Sequence, residues 1–130
     1  MFKYNMDYKV RDSMLHFRNP EKAKDDYDVL WFDGLEPETL EKLIDLRFAD
    51  PKERQNYSPS TAEFLEFLNE NDEFTAIGYV VSPNRDDYRL TIEGVEAYGC
   101  DERQIYNFVN MFRKADEFEM TPVYQRAWFD

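Results

Sequence analysis

The order of helical and strand-like patterns along the 130-residue chain predicts an α+β fold. We expect a mostly antiparallel sheet of four to five strands with about three helices packed on one face. Two observations carry this prediction. The strand-like runs do not alternate regularly with helical runs, as they would in a parallel fold, and two of them are joined by a turn too short for a crossover. A chain of this length is expected to form one domain, residues 1–130.

The first two strands are expected before residue 35. Over residues 2–11 apolar and polar side chains alternate, which is the pattern of a strand with one buried face. Residues 27–32 form a second apolar run, which ends at the turn-forming pair Asp33 and Gly34. Since the apolar residues of this run fall on both faces, we predict an interior strand that is covered on both sides.

Three helices have recognisable starts. Pro37 suits a first helical turn and predicts a helix over residues 37–49. Ser60 and Glu63 are spaced as a capping box, which begins a second helix that runs to about Asn69. Asp101 is expected to cap the third helix. The inward stripe of that helix is Ile105, Phe108, Val109, Phe112 and Ala115. Residues 123–129 then predict a short final strand.

Between the second and third helices, two apolar runs flank a polar stretch that contains Asp86 and Asp87. Pairing Ser82 with Asp87 puts the large apolar side chains of a hairpin on one face. The partners in this register are Val81 with Tyr88, Tyr79 with Leu90, and Ile77 with Ile92. We interpret the two adjacent carboxylates as turn residues, because hairpin tips are solvated and do not favour acid–base catalysis.

The charge of the chain is strongly negative and unevenly distributed. The net charge is −12, yet residues 1–24 are basic. Such a field repels phosphate backbones, so we expect no direct contact with nucleic acid. No apolar run is long enough to span a bilayer, which argues against a membrane partner. The lone cysteine and the polar N-terminal segment predict a cytoplasmic protein.

Cys100 is the strongest indication of an enzyme, because it lies just before a helix whose first N–H groups would stabilise a thiolate. A nucleophile needs a base, however, and the single histidine, His16, is distant in the sequence. We therefore interpret Cys100 as a structural thiol and keep a reactive thiol as an alternative. One cysteine and one histidine do not make a zinc site, and we expect no cofactor.

An acidic ridge is predicted on the second helix. Glu63, Glu66 and Glu70 lie about one turn apart, and no Lys or Arg occurs from Gln55 to Asn84. The spacing of these carboxylates loosely imitates that of phosphates on one DNA strand. The simpler interpretation is a solvated helix face that keeps the protein in solution.

Aromatic residues make up 17% of the chain, and several lie near the ends of predicted elements. Trp31, Tyr57 and Trp128 are the side chains of this kind that we expect at a partner surface. The sequence therefore predicts a non-catalytic module that binds another protein or a second copy of itself. The alternatives are an inhibitor that uses the acidic ridge as a nucleic-acid mimic, and an enzyme that uses Cys100.

Overall fold

A computed structural model describes residues 1–24 and 26–130, and within them the α+β prediction is confirmed. One antiparallel sheet contains six strands in the order β1-β2-β3-β4-β6-β5. The strands are β1 His16–Phe17, β2 Val29–Leu35, β3 Thr75–Val81, β4 Arg89–Ala97, β5 Glu117–Met120 and β6 Gln125–Trp128. The α-helices are α1 Tyr8–Ser13, α2 Pro37–Asp45, α3 Thr61–Glu70 and α4 Glu102–Phe112, and a short 3-10 helix spans Lys22–Lys24. The described residues thus contain one more strand and one more α-helix than expected.

The three predicted helices start where their capping signals lie. Pro37 occupies the first turn of α2, and both halves of the capping box of Ser60 and Glu63 are formed at α3. The Asp101 side chain accepts a hydrogen bond of 2.9 Å from the Gln104 backbone N–H at the start of α4. The predicted end of α2 was too late, because Arg47 adopts a left-handed conformation with φ of 66°. That turn ends the helix and still leaves the following apolar residues in the core.

The core lies between one face of the sheet and helices α2, α3 and α4. Alternate residues of the strands, such as Leu30, Val80 and Leu90, enter this core. Phenylalanines from the helices cover them, and the rings of Phe67 and Phe112 meet edge to face at 4.9 Å. Burying each such ring stabilises the fold by about 1.5 to 3 kcal/mol. This packing leaves the second face of the sheet without the large helices.

The predicted register of the β3–β4 hairpin was wrong by one residue. Val80 pairs with Leu90 and Gly78 with Ile92, so the smaller side chains of β3 face the core. The reason lies in β2, since a Cβ on Gly78 would come within 2.8 Å of the Phe32 ring. That ring fills the space, and a β-bulge next to Gly78 then shifts the remainder of the pairing.

The strand predicted over residues 2–11 was also wrong. The end of this segment forms α1, while residues 1–7 run outside any strand. The Asn5 backbone N–H donates to the carbonyl of Arg47, and the Tyr88 hydroxyl donates to the carbonyl of Asn5, both at 2.8 Å. Arg11, which the alternation assigned to a solvated face, is fully buried. Contacts with distant residues therefore override the local pattern.

Two further corrections concern the edges of elements. β2 continues through the pair Asp33 and Gly34, where Gly34 has φ of 64° and the register shifts, so these residues form a bulge and not a terminal turn. Trp31 is 45% exposed, which contradicts a strand covered on both faces.

The final predicted strand corresponds to β6. Its neighbour β5 was not predicted, because two of its four residues are the charged Glu117 and Glu119.

Candidate functional site

The face of the sheet that points away from helices α2, α3 and α4 carries a group of aromatic and charged side chains from neighbouring strands. We call this surface the outer face and define it by Trp31, Tyr79, Glu93, Arg126 and Trp128. Their chain neighbours, such as Ala127, point into the core. The alternation of strand side chains, together with the β-bulge that contains Glu93, thus puts residues from four neighbouring strands on one surface.

Glu93 lies at the centre of the outer face and is only 5% exposed. The indole N–H of Trp128 donates to the Glu93 carboxylate at 2.7 Å. Burial raises the pKa of Glu93, while the hydrogen bond from Trp128 and the nearby Arg18 charge act in the opposite direction. Trp31 acts on the pKa of Glu93 in the same direction as Trp128, with a smaller effect. The buried carboxylate therefore fixes the orientation of the Trp128 ring.

Arginine side chains pack against two rings of the outer face, those of Trp128 and Tyr79. The Arg126 guanidinium lies 5.4 Å from the centre of the Trp128 ring. The Arg89 guanidinium lies 5.4 Å from the Tyr79 ring and also donates to the Tyr79 hydroxyl at 2.7 Å. The centres of the Tyr79 and Trp31 rings are 6.1 Å apart. These contacts restrict the rotamers of the large side chains before any partner arrives.

Of the sequence-predicted aromatic residues, the structure brings Trp31 and Trp128 together and leaves Tyr57 apart. Tyr57 is 97% exposed at the tip of the loop between α2 and α3. The preceding residue, Asn56, donates to the backbone carbonyl of Asp130 at 2.8 Å, so this loop lies against the C-terminal residues. Tyr57 thus belongs to a separate loop near the end of β6.

The prediction from the sequence missed Glu93, Tyr79 and the two arginines of this surface. Tyr79 was assigned to the core, and Glu93 was placed opposite Ala76 on a small, polar face. The correct register pairs Tyr79 with Thr91, which points away from the core. The alternation did not indicate which register is correct, because the shift of one residue depends on the Phe32 ring beside Gly78.

The acidic ridge is present on α3, where Glu63, Glu66 and Glu70 line a groove of about 270 Å³ against α4. Glu63 is partly neutralised, because the Arg54 guanidinium lies 2.8 Å from its carboxylate. Hydrogen bonds from the backbone and side chain of Ser60 lower the pKa of Glu63. All three residues therefore line the groove, and Glu63 also has a structural role as the capping residue of α3.

Cys100 and His16 do not come together. His16 lies on β1 at one edge of the sheet, where its Nδ1 is 2.8 Å from the Asp33 carboxylate. The Cys100 thiol instead contacts the Gln125 side chain at 3.5 Å. Burial, followed by the nearby charges of Asp101 and Glu73, raises the pKa of the thiol. This environment disfavours the thiolate that a nucleophile requires.

A polar cavity of about 610 Å³ lies beside α1 and the hairpin turn. Its wall includes Asp12 and Tyr27, which both bond to the buried guanidinium of Arg11. Arg11 also donates to the carbonyl of Val81 at 3.2 Å, and the Tyr27 hydroxyl donates to Asp12. These groups satisfy one another, so we assign the network to stability and not to ligand binding.

Within residues 1–24 and 26–130, no three His, Cys, Asp or Glu side chains are placed to hold a metal ion. In the same part of the chain, no helix combines the length and the apolar character needed to cross a membrane. Comparisons with protein-family models, with curated proteins and with solved structures each gave no match to this chain.

Proposed function

We propose that the protein is a non-catalytic module that binds another protein on its outer face. The observation that carries this proposal is the bond between Glu93 and Trp128, in which the buried carboxylate holds the indole at 2.7 Å. Trp, Tyr and Arg are the side chains that most often dominate binding energy at protein interfaces. All three types are concentrated on this surface, in the register described above.

The fixed geometry of these side chains supports binding in a second way. Association loses about 0.5 to 1.5 kcal/mol for each flexible side chain that becomes immobilised. On the outer face that loss is reduced, since Arg126 and Arg89 already restrain the rings of Trp128 and Tyr79. Trp31 remains 45% exposed and is available for contact with a partner.

The net charge of the chain favours another protein over a second copy of this chain. Two copies would repel each other through their net charges of −12. A partner with a basic surface would instead be attracted.

The test compares the wild-type protein with Trp31→Ala and with a matched control, Tyr106→Ala, which removes an exposed ring from α4. Proteins retained from a lysate of the source cells are identified for each form, and affinities are then measured by calorimetry. We expect Trp31→Ala to weaken binding of the retained partner at least about 30-fold, as at interface hot spots. Tyr106→Ala should leave the affinity unchanged. Equal affinity of the Trp31→Ala variant would contradict the proposal.

A second candidate function is inhibition of a nucleic-acid-binding protein by the acidic ridge. It is favoured by one observation, namely that Glu63, Glu66 and Glu70 line the same groove. Changing Glu66 and Glu70 to Lys should abolish such binding, whereas the same change at the exposed Glu38 and Glu41 on α2 serves as the control. Binding that survives this reversal and does not weaken with salt would exclude the mimic, because charge-driven contacts are screened.

A further inference from the structure

Two tyrosines extend the outer face past the ends of β4 and β6. Tyr98 follows β4 and Tyr124 precedes β6, and the centres of their rings lie 5.1 Å apart. We call these two residues the tyrosine pair. The Tyr124 hydroxyl donates to Oε2 of Glu96 at 2.9 Å, which puts the pair on the side of the sheet opposite Ala97 and the core. Tyr98 is 78% exposed, so its ring is open to a partner.

Carboxylates outnumber cations on the strands beside the tyrosine pair. In the register of the three strands, Glu96 lies opposite Arg126, and Arg126 lies opposite Glu119. The Arg126 guanidinium bonds to Glu117 at 3.2 Å. In the part of the chain that the structure describes, neither Glu96 nor Glu119 forms an ion pair. One guanidinium thus lies among three carboxylates, and this surface attracts a further cation.

The same surface shows how a cation is held there. The Arg126 guanidinium lies 5.4 Å from the centre of the Trp128 ring while it bonds to the Glu117 carboxylate. The tyrosine pair and Glu96 also combine rings with a carboxylate. Among residues 1–24 and 26–130, however, no Arg or Lys lies over either tyrosine ring. A guanidinium from another chain would complete the same arrangement at the tyrosine pair.

We propose that the tyrosine pair and Glu96 bind an arginine side chain of the partner protein. The guanidinium lies against the exposed Tyr98 ring and donates to Oε1 of Glu96, since Oε2 already accepts from Tyr124. Arginine suits these groups better than lysine, because its flat guanidinium stacks on rings and is more weakly hydrated than an ammonium group. This inference rests on the proposed function, because the pair extends the outer face, and it names the chemistry of the partner.

The test uses the tripeptide acetyl-Gly-Arg-Gly-amide as a probe and nuclear magnetic resonance of the isotopically labelled full chain. We expect saturable chemical-shift changes at the amides of Glu96, Tyr98 and Tyr124. The same peptide with citrulline keeps the flat shape but has no charge. It should bind at least about tenfold more weakly, since the hydrogen bond to the carboxylate is no longer charge-assisted. The peptide with lysine should bind at least about threefold more weakly.

Two variants locate the binding site. Tyr98→Ala should weaken binding of the arginine peptide about threefold, because the cation–π contact is lost, and Glu96→Gln about tenfold, because the charge of the acceptor is lost. The matched controls are Tyr106→Ala on α4 and Glu38→Gln on α2, which change an exposed ring and an exposed carboxylate and should leave binding unchanged. The remainder of each spectrum reports whether the variant is folded.

Three outcomes would overturn the inference. They are the absence of saturable shifts at millimolar arginine peptide, equal binding of the citrulline or lysine peptide, and binding that Tyr98→Ala leaves unchanged. Should Glu96→Gln not fold, Tyr98→Ala and the citrulline peptide give the same information. Capture that depends on Trp31 without peptide binding would contradict the arginine site alone. Peptide binding with capture indifferent to Trp31→Ala would contradict the proposed function alone.

Discussion

The indole of Trp128 donates to the carboxylate of Glu93 at 2.7 Å, and this bond joins β6 to β4 on the outer face. Glu93 also provides the backbone carbonyl that accepts the N–H of Phe129 at 2.8 Å. Side chain and backbone of one residue thus attach the last strand of the chain to the centre of the sheet. The effects of changing Glu93 should therefore be visible in the stability of the whole fold.

Glu93→Gln tests this through pH. Burial raises the pKa of Glu93 in the folded protein, so between about 4.3, the ordinary value, and that raised pKa the folded state binds more protons than the unfolded one. Stability from this group is hence fully present at low pH and is lost as pH rises through the window. On acidification we expect the free energy of unfolding to rise in the wild type through this group, and the Glu93→Gln variant to lack that rise.

The measurement is the free energy of unfolding in urea at several pH values between 4 and 7. Burial also raises the pKa of Glu53, but that residue is present in both forms, so the difference between the two curves isolates Glu93. Parallel curves for the wild type and the variant would contradict the prediction.

Arg11→Met should be among the most destabilising single changes. The fully buried guanidinium bonds to Asp12, Tyr27 and the carbonyl of Val81, and its removal leaves these groups without their partner. Loss of one member of a buried charge network costs about 3 to 5 kcal/mol. Urea unfolding measures the effect, and Arg85→Gln in the exposed hairpin turn is the control, expected to stay within about 0.5 kcal/mol. Similar losses for both variants would disprove the structural role of Arg11.

Gly94→Ala should separate β6 from β4. A Cβ at Gly94 would lie 1.9 Å from the backbone oxygen of Ala127, too close to be relieved without moving a strand. We expect the free energy of unfolding to fall by about 3 kcal/mol, which is the upper end of the range for overpacked cores. Gly34→Ala is the comparison, since a Cβ there meets nothing within 4 Å and only the positive φ opposes it, at a cost of about 1 kcal/mol. If thermal unfolding shows that Gly34→Ala is less stable than Gly94→Ala, the close contact between β4 and β6 at Gly94 is contradicted.

Cys100 should react slowly with alkylating reagents. Burial and the charges of Asp101 and Glu73 raise the pKa of its thiol, which lowers the thiolate fraction at neutral pH. We expect the rate constant with iodoacetamide at pH 7 to be at least about threefold below that of the same chain unfolded in urea. A faster reaction in the folded protein would revive the hypothesis of a nucleophilic cysteine.

The parts of the fold that sequence reasoning predicted depend on signals a few residues long. The capping box of Ser60 and Glu63 and the cap at Asp101 act within one helical turn, so they could be identified without any knowledge of the tertiary structure. The β3–β4 register depends instead on the ring of Phe32, which lies more than forty residues before Gly78 in the chain and fills the space beside it. Local patterns contain no information on such a contact.

The residues of the candidate site also divide into those that local sequence signals identify and those that depend on distant contacts. Trp31 and Trp128 could be selected as partner residues because large aromatic side chains near the ends of elements are hard to bury. Glu93 could not, because its role requires β4 and β6 to be neighbours in the sheet, and its place depends on a bulge in the hairpin. Arg11 was missed for a similar reason, since an alternating segment gave no sign that a helix would carry it inward.

Glu117 and Glu119 occupy β5, the strand with an unpaired side at one end of the sheet. Negative charges along such a strand discourage a neighbouring molecule from adding there by hydrogen bonding. Copies of the chain are thereby hindered from polymerising sideways into fibrils, even at high concentration.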